Sequence, residues 1–340
     1  MNDLTSADEK KEHSCPPGGR RRADRNEIYD MIIVGSGPAG MSAAIYACRA
    51  GLRAVVLERQ SISGGQILNT YEVDNYPGLP DNDGYELSTK LRGHAEKAGA
   101  VFVQEEVISV EKTDAGSGSS ARFDERLTVR AKEKEYRTKT VIWAAGAVFR
   151  KLGVPGEEQL TGKGVSYCAT CDGAFFKEKV VAVVGGGDAA LEDALFLARS
   201  CERVIMILRG NRFRGAKILQ EKVLETKNIH VIYETEVQKI CGSSAVSDLI
   251  LYDKKKQTTS VLTVQGVFIA VGIKPNTEML QNFVQLDENG YVVADETGIT
   301  NISGFFAAGD VRNKQLRQIV TAVADGANCV MSAERYLSRT

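Results

Sequence analysis

The stretch SYCATCDGAFFKEKVVAVVGGGDAA, residues 166–190, combines a pair of cysteines with a glycine-rich turn. It contains a Cys-x-x-Cys pair, Cys168 and Cys171, and Asp172 directly follows the second thiol. The β-branched run Val180–Val184 then opens into three consecutive glycines and Ala190. A glycine-rich turn between a strand and a helix binds a pyrophosphate, and two thiols at this spacing can close and reopen a disulfide. The stretch therefore predicts electron transfer from a nucleotide to a disulfide through an intermediate carrier.

A complete dinucleotide-binding fingerprint lies upstream of this stretch. The apolar run Tyr29–Val34 leads into GSGPAG at Gly35–Gly40, a small-residue helix over Met41–Ala50 and a strand that ends in Glu58. The glycines let the backbone approach a phosphate, the helix N-terminus supplies N–H donors, and the acid accepts from a ribose hydroxyl. The alternative is a βαβ turn with no ligand, and the complete pattern favours a nucleotide site.

A second unit repeats the first at an offset of 150 residues, which brings Gly185, Gly187 and Ala190 onto the three fingerprint positions. Ala is an accepted variant at the third position. Leu208 stands where the first unit has Glu58, and a cluster of arginines follows it. Loss of the acid and gain of cations is expected when a 2′-phosphate replaces a 2′-hydroxyl. We therefore predict FAD at the first unit and NADPH at the second, against the alternative of a solvated basic loop.

The C-terminal segment is predicted to complete the first unit. The strand near Gly304 ends in Gly309 and Asp310, and a helix begins near Gln318. The predicted fold is therefore α/β, with two Rossmann-like, three-layer nucleotide-binding domains, the second inserted into the first. The expected ranges are a disordered tail at 1–28, an FAD-binding domain at 29–148 and 275–340, and an NADPH-binding domain at 149–274 that carries the cysteine pair.

Composition excludes several classes of protein. The 340 residues are 43% hydrophobic and 26% charged with a net charge of −1, which favours neither nucleic acid nor an anionic membrane as partner. No apolar run approaches the roughly 20 residues that span a bilayer, and the N-terminal 28 residues lack the apolar centre of a signal peptide. Seven scattered cysteines do not form a secreted disulfide framework, so we expect a cytoplasmic protein. A zinc site would need two further nearby ligands, and we expect no metal.

Taken together, the motifs resemble the low-molecular-weight thioredoxin reductases from Tyr29 to the C-terminus. They are GSGPAG, GGQ at Gly64–Gln66, CATCDG at Cys168–Gly173, GGGDAA, AVGIKPNT, and AAGDV followed by RQ. The resemblance implies that NADPH reduces FAD, that FAD reduces the Cys168–Cys171 disulfide, and that this pair reduces oxidised thioredoxin. It further implies that Cys171 lies against the flavin and that Cys168 attacks the partner disulfide. Asp172 directly follows the pair and is the candidate general acid, provided that its environment raises its pKa. A homodimer is implied, with a nucleotide domain that swivels on two chain crossings.

The resemblance also supplies the expected cofactor contacts. For FAD they are Gly35, Ser36, Gly37, Ala39, Gly40, Glu58, Arg59, Gly65, Gln66, Asn75, Ala145, Gly146, Gly309, Asp310, Arg317, Gln318 and Ile319. For NADPH they are Gly185, Gly187, Asp188, Ala189, Ala190, Arg209, Arg212 and Arg214.

One departure from the family pattern keeps the electron donor open. The 2′-phosphate motif of the family is His-Arg-Arg-x-x-x-Arg, whereas this chain has Leu208, Arg209 and Gly210 followed by Arg214. A related flavoprotein disulfide reductase that uses NADH, ferredoxin or another disulfide partner is therefore an alternative. A nucleotide-sensing protein without turnover is the non-enzymatic alternative, and the dithiol with its neighbouring Asp disfavours it.

Overall fold

The computed structural model describes residues 28–70, 73–113 and 126–339. The predicted N-terminal tail lies outside these ranges except for Ile28, which begins the first strand. No helix in the described part of the chain is long and apolar enough to cross a membrane.

The first half of the chain builds a mostly parallel sheet. The helices and strands of this half of the chain are β1 (Ile28–Val34), α1 (Pro38–Arg49), β2 (Ala54–Glu58), α2 (Gly84–Lys97), β3 (Val101–Gln104), β4 (Val107–Thr113), β5 (Arg126–Ala131), β6 (Glu135–Trp143) and β7 (Ala147–Phe149). The strand order is β3-β2-β1-β6-β5-β4, with β1 parallel to both β2 and β6. Pro38 at the start of α1 has its φ angle already set for a helix, and the helix therefore begins immediately after Gly37.

A second set of elements follows before the chain returns. They are β8 (Val165–Ser166), α3 (Ala169–Asp172), β9 (Val180–Val184), α4 (Asp188–Leu197), β10 (Arg203–Ile207), α5 (Lys217–Glu225), β11 (Ile229–Ile232), β12 (Thr235–Gly242), β13 (Val246–Asp253), β14 (Thr258–Thr263) and β15 (Gly266–Ile269). Strands β11-β10-β9-β15-β8 form a parallel sheet, and β12-β13-β14 form an antiparallel one. Each parallel sheet has a hydrophobic cluster on both faces, so each is the middle of three layers.

The chain then returns to the first sheet through β16 (Ile273–Pro275), β17 (Phe305–Ala307) and α6 (Ile319–Leu337). Strand β17 pairs in parallel with β6, with Phe305 opposite Val141. The prediction of two Rossmann-like units, the second inserted into the first, is confirmed.

The two chain crossings between the units lie side by side. Strands β7 and β16 pair antiparallel, with Ala147 opposite Pro275 and Phe149 opposite Ile273. The predicted boundaries at 148/149 and 274/275 fall inside this two-stranded ribbon. The polypeptide thus enters and leaves the inserted unit through this ribbon.

Candidate active site

A cavity of about 560 Å³ lies at the carboxyl ends of β1, β2 and β6, where ligands bind in doubly wound sheets. Of the residues expected to hold FAD, all except Gly40 line it: Gly35, Ser36, Gly37, Ala39, Glu58, Arg59, Gly65, Gln66, Asn75, Ala145, Gly146, Gly309, Asp310, Arg317, Gln318 and Ile319. Cys168 and Cys171, from the inserted unit, line the same cavity. The fold therefore places the redox pair against the first nucleotide unit.

The three fingerprint glycines have different roles. A Cβ at Gly40 would lie 1.9 Å from the carbonyl oxygen of Gly35, and a Cβ at Gly35 would lie 2.5 Å from that of Ala144. At Gly37 the nearest atom is 3.8 Å away, on Gly64. Packing of the protein itself thus requires the first and third glycines, whereas the second keeps backbone open to a ligand. Gly40 acts behind the cavity wall.

Glu58 is held rigidly at the end of β2. Its Oε2 accepts from the Ser36 backbone N–H at 2.7 Å and from the Ser36 hydroxyl at 2.8 Å. Its Oε1 accepts from the Gln60 N–H at 2.9 Å. A carboxylate has about four acceptor positions, so one remains for a ribose hydroxyl.

Two polar atoms in the cavity wall have no partner within the described ranges. They are Oδ1 of Asp310 and Nε of Arg317, and both are buried. Burial raises the pKa of the Asp310 carboxyl, while the charges of Lys314 and Arg317 lower it. An unsatisfied buried polar group costs about 1–3 kcal/mol, which a ligand with hydroxyl and phosphate groups would recover. These residues fit the polyol chain of FAD.

Asp325, which the sequence did not single out, supports the turn that carries Asp310. Its Oδ2 accepts from the Gly309 N–H at 2.9 Å and from Lys314 Nζ at 2.9 Å. Arg312, only 2% exposed, donates from Nε and Nη2 to the same carboxylate at 2.8 Å each. These cations hold the pKa of Asp325 below its usual value despite burial. The sequence signal that could have indicated this role is an acid within the small-residue first half of α6, VTAVADGA.

The cysteines form a disulfide across the short helix α3. Cys168 immediately precedes α3 and Cys171 lies within it, with their Cα atoms 5.3 Å apart. Both residues are half-buried. One turn of helix thus brings the two sulfur atoms together on the cavity wall.

Asp172 is a partly buried carboxyl directly after the second cysteine. Burial raises its pKa, and the hydrogen bond from Ser166 opposes that effect. Ser166 Oγ donates to Oδ2 at 2.6 Å, while Oδ1 is buried and unpartnered within the described residues. Ser166 Oγ also accepts from the Cys168 N–H at 3.1 Å. Ser166, which the sequence analysis missed, therefore joins the acid to the redox loop.

A chain of side-chain hydrogen bonds connects the redox helix with the first unit. Asn75 Nδ2 donates to Gln318 Oε1 at 3.0 Å, and Gln318 Nε2 donates to Thr170 Oγ1 at 3.2 Å. Thr170 Oγ1 lies 3.4 Å from the Sγ of Cys168. Thr170, which is between the two cysteines, was not predicted to have a role.

The second fingerprint lies away from the cavity. The residues expected to bind NADPH, none of which lines it, are Gly185, Gly187, Asp188, Ala189, Ala190, Arg209, Arg212 and Arg214. A Cβ at Gly185 would lie 2.3 Å from the carbonyl oxygen of Ala270, while Gly187 has no atom within 4 Å of such a Cβ. The second unit thus repeats the division of roles seen in the first, with open backbone at the middle glycine.

The arginine loop is tied to this glycine turn. The Arg214 N–H donates to the Gly186 carbonyl at 2.7 Å, and Asp188 Oδ1 accepts from the Ala216 N–H at 2.6 Å. Arg209, Arg212 and Arg214 are exposed. Within the described residues none of the three forms an ion pair with a carboxylate. Leu208 is buried at 3% exposure and offers no acceptor to a ribose.

Comparisons with known proteins agree with this geometry. The family model described as pyridine nucleotide-disulphide oxidoreductase matches residues 29–326. A thioredoxin reductase of Listeria monocytogenes is 42% identical over 316 residues, 93% of this chain and 96% of the relative. The crystal structure of a Streptococcus pyogenes thioredoxin reductase superposes with a TM-score of 0.85 at 39% identity, covering 92% of this chain and 99% of that one. A Lactococcus lactis thioredoxin reductase in its "FR conformation" superposes at only 0.62, with 37% identity and coverage of 92% and 100%. This chain therefore belongs to the pyridine nucleotide-disulphide oxidoreductases and, within them, to the low-molecular-weight thioredoxin reductases.

Proposed function

We propose that this protein reduces oxidised thioredoxin with electrons from NADPH, through bound FAD and the Cys168–Cys171 disulfide. The observation that carries the proposal is the disulfide in the wall of the cavity built by the first fingerprint. When bound, FAD accepts a hydride and passes an electron pair to a disulfide. The residues that line the cavity would hold it, with Glu58 at the ribose and Asp310 at the polyol chain.

The residues of the redox loop have distinct roles in the thiol exchange. The Cys168 thiolate attacks one sulfur of the thioredoxin disulfide, and the leaving sulfur takes a proton from Asp172. Cys171 then attacks Cys168, which releases the second thioredoxin sulfur and restores the internal disulfide. One disulfide is reduced and one is formed, so two electrons are transferred in each cycle.

NADPH is the proposed donor because of the loop after β10. Leu208 removes the acid that a 2′-hydroxyl would use, and the exposed Arg209, Arg212 and Arg214 can pair with a 2′-phosphate. NADH and ferredoxin are the competing donors. An equal, poor response to NADPH and NADH would favour a different reductant.

Delivery of the hydride requires a second arrangement of the two units. In the present arrangement the cavity wall includes Cys168 and Cys171 but no residue of the second fingerprint. A nicotinamide bound near Gly187 would therefore have to exchange places with the disulfide. We propose that the unit at 149–274 turns on the β7–β16 ribbon, and the poorer superposition on the Lactococcus lactis structure, at nearly equal identity and coverage, supports this.

The assembly and location of the protein are also part of the proposal. A homodimer is expected from the family, and exposed apolar side chains on α1 and α6, Tyr46 and Met331 among them, offer a surface for it. A cytoplasmic location is expected from the scattered, odd number of cysteines.

The deciding experiment is an anaerobic titration of the purified protein with NADPH and then, separately, with NADH. We expect NADPH to bleach the flavin absorbance and oxidised thioredoxin to restore it. Cys168→Ser and Cys171→Ser should each retain bleaching by NADPH and lose reduction of thioredoxin. Thioredoxin reduction at the normal rate by either variant would contradict the proposed path.

A further inference from the structure

Thr170 lies at a junction between the redox disulfide and the first nucleotide unit. Its hydroxyl is 3.4 Å from the Cys168 sulfur and 3.2 Å from Gln318 Nε2, although Thr170 and Gln318 are 148 positions apart in sequence. Gln318 directly precedes α6 and lines the cavity. The contact therefore joins the redox helix of the inserted unit to the wall of the other unit.

The direction of these hydrogen bonds follows from the chemistry of the partners. The Cys168 sulfur is in a disulfide and has no hydrogen, so the Thr170 hydroxyl is the donor to it. The amide of Gln318 donates to the oxygen of that same hydroxyl, while its carbonyl accepts from Asn75. A hydroxyl that accepts one bond and donates another is polarised, so that each bond strengthens the next.

The bond from Gln318 exists only while the redox helix lies at the cavity. Thr170 and Cys168 belong to the same loop and move together, whereas Gln318 belongs to the first unit. A turn of the inserted unit on the β7–β16 ribbon would separate Thr170 from Gln318 and leave Thr170 beside Cys168.

We infer that Thr170 is a positioning residue that holds the Cys168–Cys171 disulfide at the flavin cavity through Gln318. This inference rests on the proposed function, since it concerns the balance between the two arrangements that the function requires. Loss of one neutral hydrogen bond is expected to change that balance by about two- to tenfold. Thr170 is exposed, so an isosteric substitution leaves the protein core unchanged.

The first test is the reaction of the oxidised holoenzyme with one equivalent of NADPH in an anaerobic stopped-flow experiment. Thr170→Val should increase the amplitude of rapid flavin bleaching and slow the later transfer of electrons to the disulfide, by about two- to tenfold each. Thr170→Ser keeps the hydroxyl and should behave like the wild type. Unchanged phases in Thr170→Val, or a decrease of both together, would overturn the inference. Absence of bleaching in the wild type would instead contradict the proposed function.

A second measurement needs neither nucleotide nor turnover. The purified protein is treated with tris(2-carboxyethyl)phosphine, and reduction of the Cys168–Cys171 pair is followed by alkylation and mass spectrometry. Thr170→Val should accelerate reduction about two- to tenfold, because the disulfide spends more time away from the cavity. A purely local effect on the sulfur would slow it, since loss of a donor makes Cys168 a poorer leaving group.

A double-mutant cycle isolates the contact between the units. Gln318→Leu removes the same bond from the other side, so Thr170→Val should have little further effect on the phosphine reaction in that background. Full additivity of the two substitutions would overturn the inference.

Discussion

Asp172→Asn tests the proposed acid with little other change to the site. The amide oxygen of Asn can still accept from Ser166, whose hydroxyl is 2.6 Å from the carboxylate, and the side-chain volume is nearly the same. The group that is lost is the exchangeable proton. General acid catalysis by a positioned side chain contributes about 10²–10⁴-fold, which corresponds to roughly 3–5 kcal/mol of transition-state stabilisation. We expect thioredoxin reduction to slow by that factor.

The two half-reactions are measured separately in stopped-flow experiments. Flavin bleaching by NADPH should be unchanged in Asp172→Asn, because that step needs no proton from the redox loop. Oxidation of the reduced enzyme by thioredoxin should carry the whole loss. Asp193→Asn is the matched control: Asp193 is another carboxyl of the inserted unit whose pKa burial raises, to about 7, but it does not line the cavity. That control should retain both half-reactions.

Ser166→Ala extends the test to pH dependence. The hydrogen bond from Ser166 stabilises the ionised form of Asp172 and so lowers its pKa, against the effect of burial. Removing the hydroxyl should raise that pKa, keep the acid protonated to higher pH, and move the alkaline limb of the thioredoxin half-reaction upward. A rate of thioredoxin reduction by Asp172→Asn within about threefold of the wild-type rate would contradict the role of Asp172 as the acid, as would a downward shift of that limb in Ser166→Ala.

Three further outcomes are expected. Gly37→Val should fold but purify without flavin, because a Cβ there is 3.8 Å from its nearest neighbour, whereas Gly40→Val should fold poorly, because a Cβ there is 1.9 Å from a carbonyl oxygen. Thermal melting measures the folding and flavin absorbance the cofactor content. A poorly folded Gly37→Val beside a well-folded Gly40→Val would contradict the assigned glycine roles. Arg209→Ala should raise the KM for NADPH about tenfold or more, because a charge-assisted contact is lost, and should leave the KM for NADH nearly unchanged. Arg203→Ala, at the exposed other end of β10, is the control. An equal effect of Arg209→Ala on both nucleotides would contradict the assignment of Arg209 to the 2′-phosphate. Burial raises the pKa of Asp193 to about 7, above the ordinary value of 3.8, so its contribution to stability is present below about pH 4 and lost as pH rises through 7. Asp193→Asn should reduce the fall in the free energy of unfolding between pH 4 and pH 7 by about 2–4 kcal/mol. Denaturant melts at several pH values measure this fall, and the same fall in the variant and the wild type would contradict the effect of burial on Asp193.

Much of the cavity lining could be predicted because its determinants are local. A strand, a glycine turn and a helix are specified within about a dozen consecutive residues, since φ, ψ and side-chain size act over neighbouring positions. The 150-residue offset extended the same prediction to Gly185 and Gly187. In the structure a Cβ would clash at Gly185 as it would at Gly35, and would have space at Gly187 as it would at Gly37. Glu58 was predicted from its place at the end of the second strand, and its carboxylate accepts a hydrogen bond from the Ser36 N–H. Its contact with a ribose stays a prediction.

The sequence by itself thus determined the class of fold, the two nucleotide units and the redox pair, because each is encoded by a short pattern of turns and apolar runs. Only the tertiary structure decided which side chains outside those patterns meet. Asp325 in α6 accepts a hydrogen bond from Gly309, 16 residues earlier, and Gln318 of the first unit donates one to Thr170 of the inserted unit. Such contacts depend on how the inserted unit packs against the first sheet, and no periodicity or spacing along the chain encodes that packing. For the same physical reason, the sequence identified two cysteines that can form a disulfide, and the packing of the two units decided that this disulfide lies at the flavin cavity.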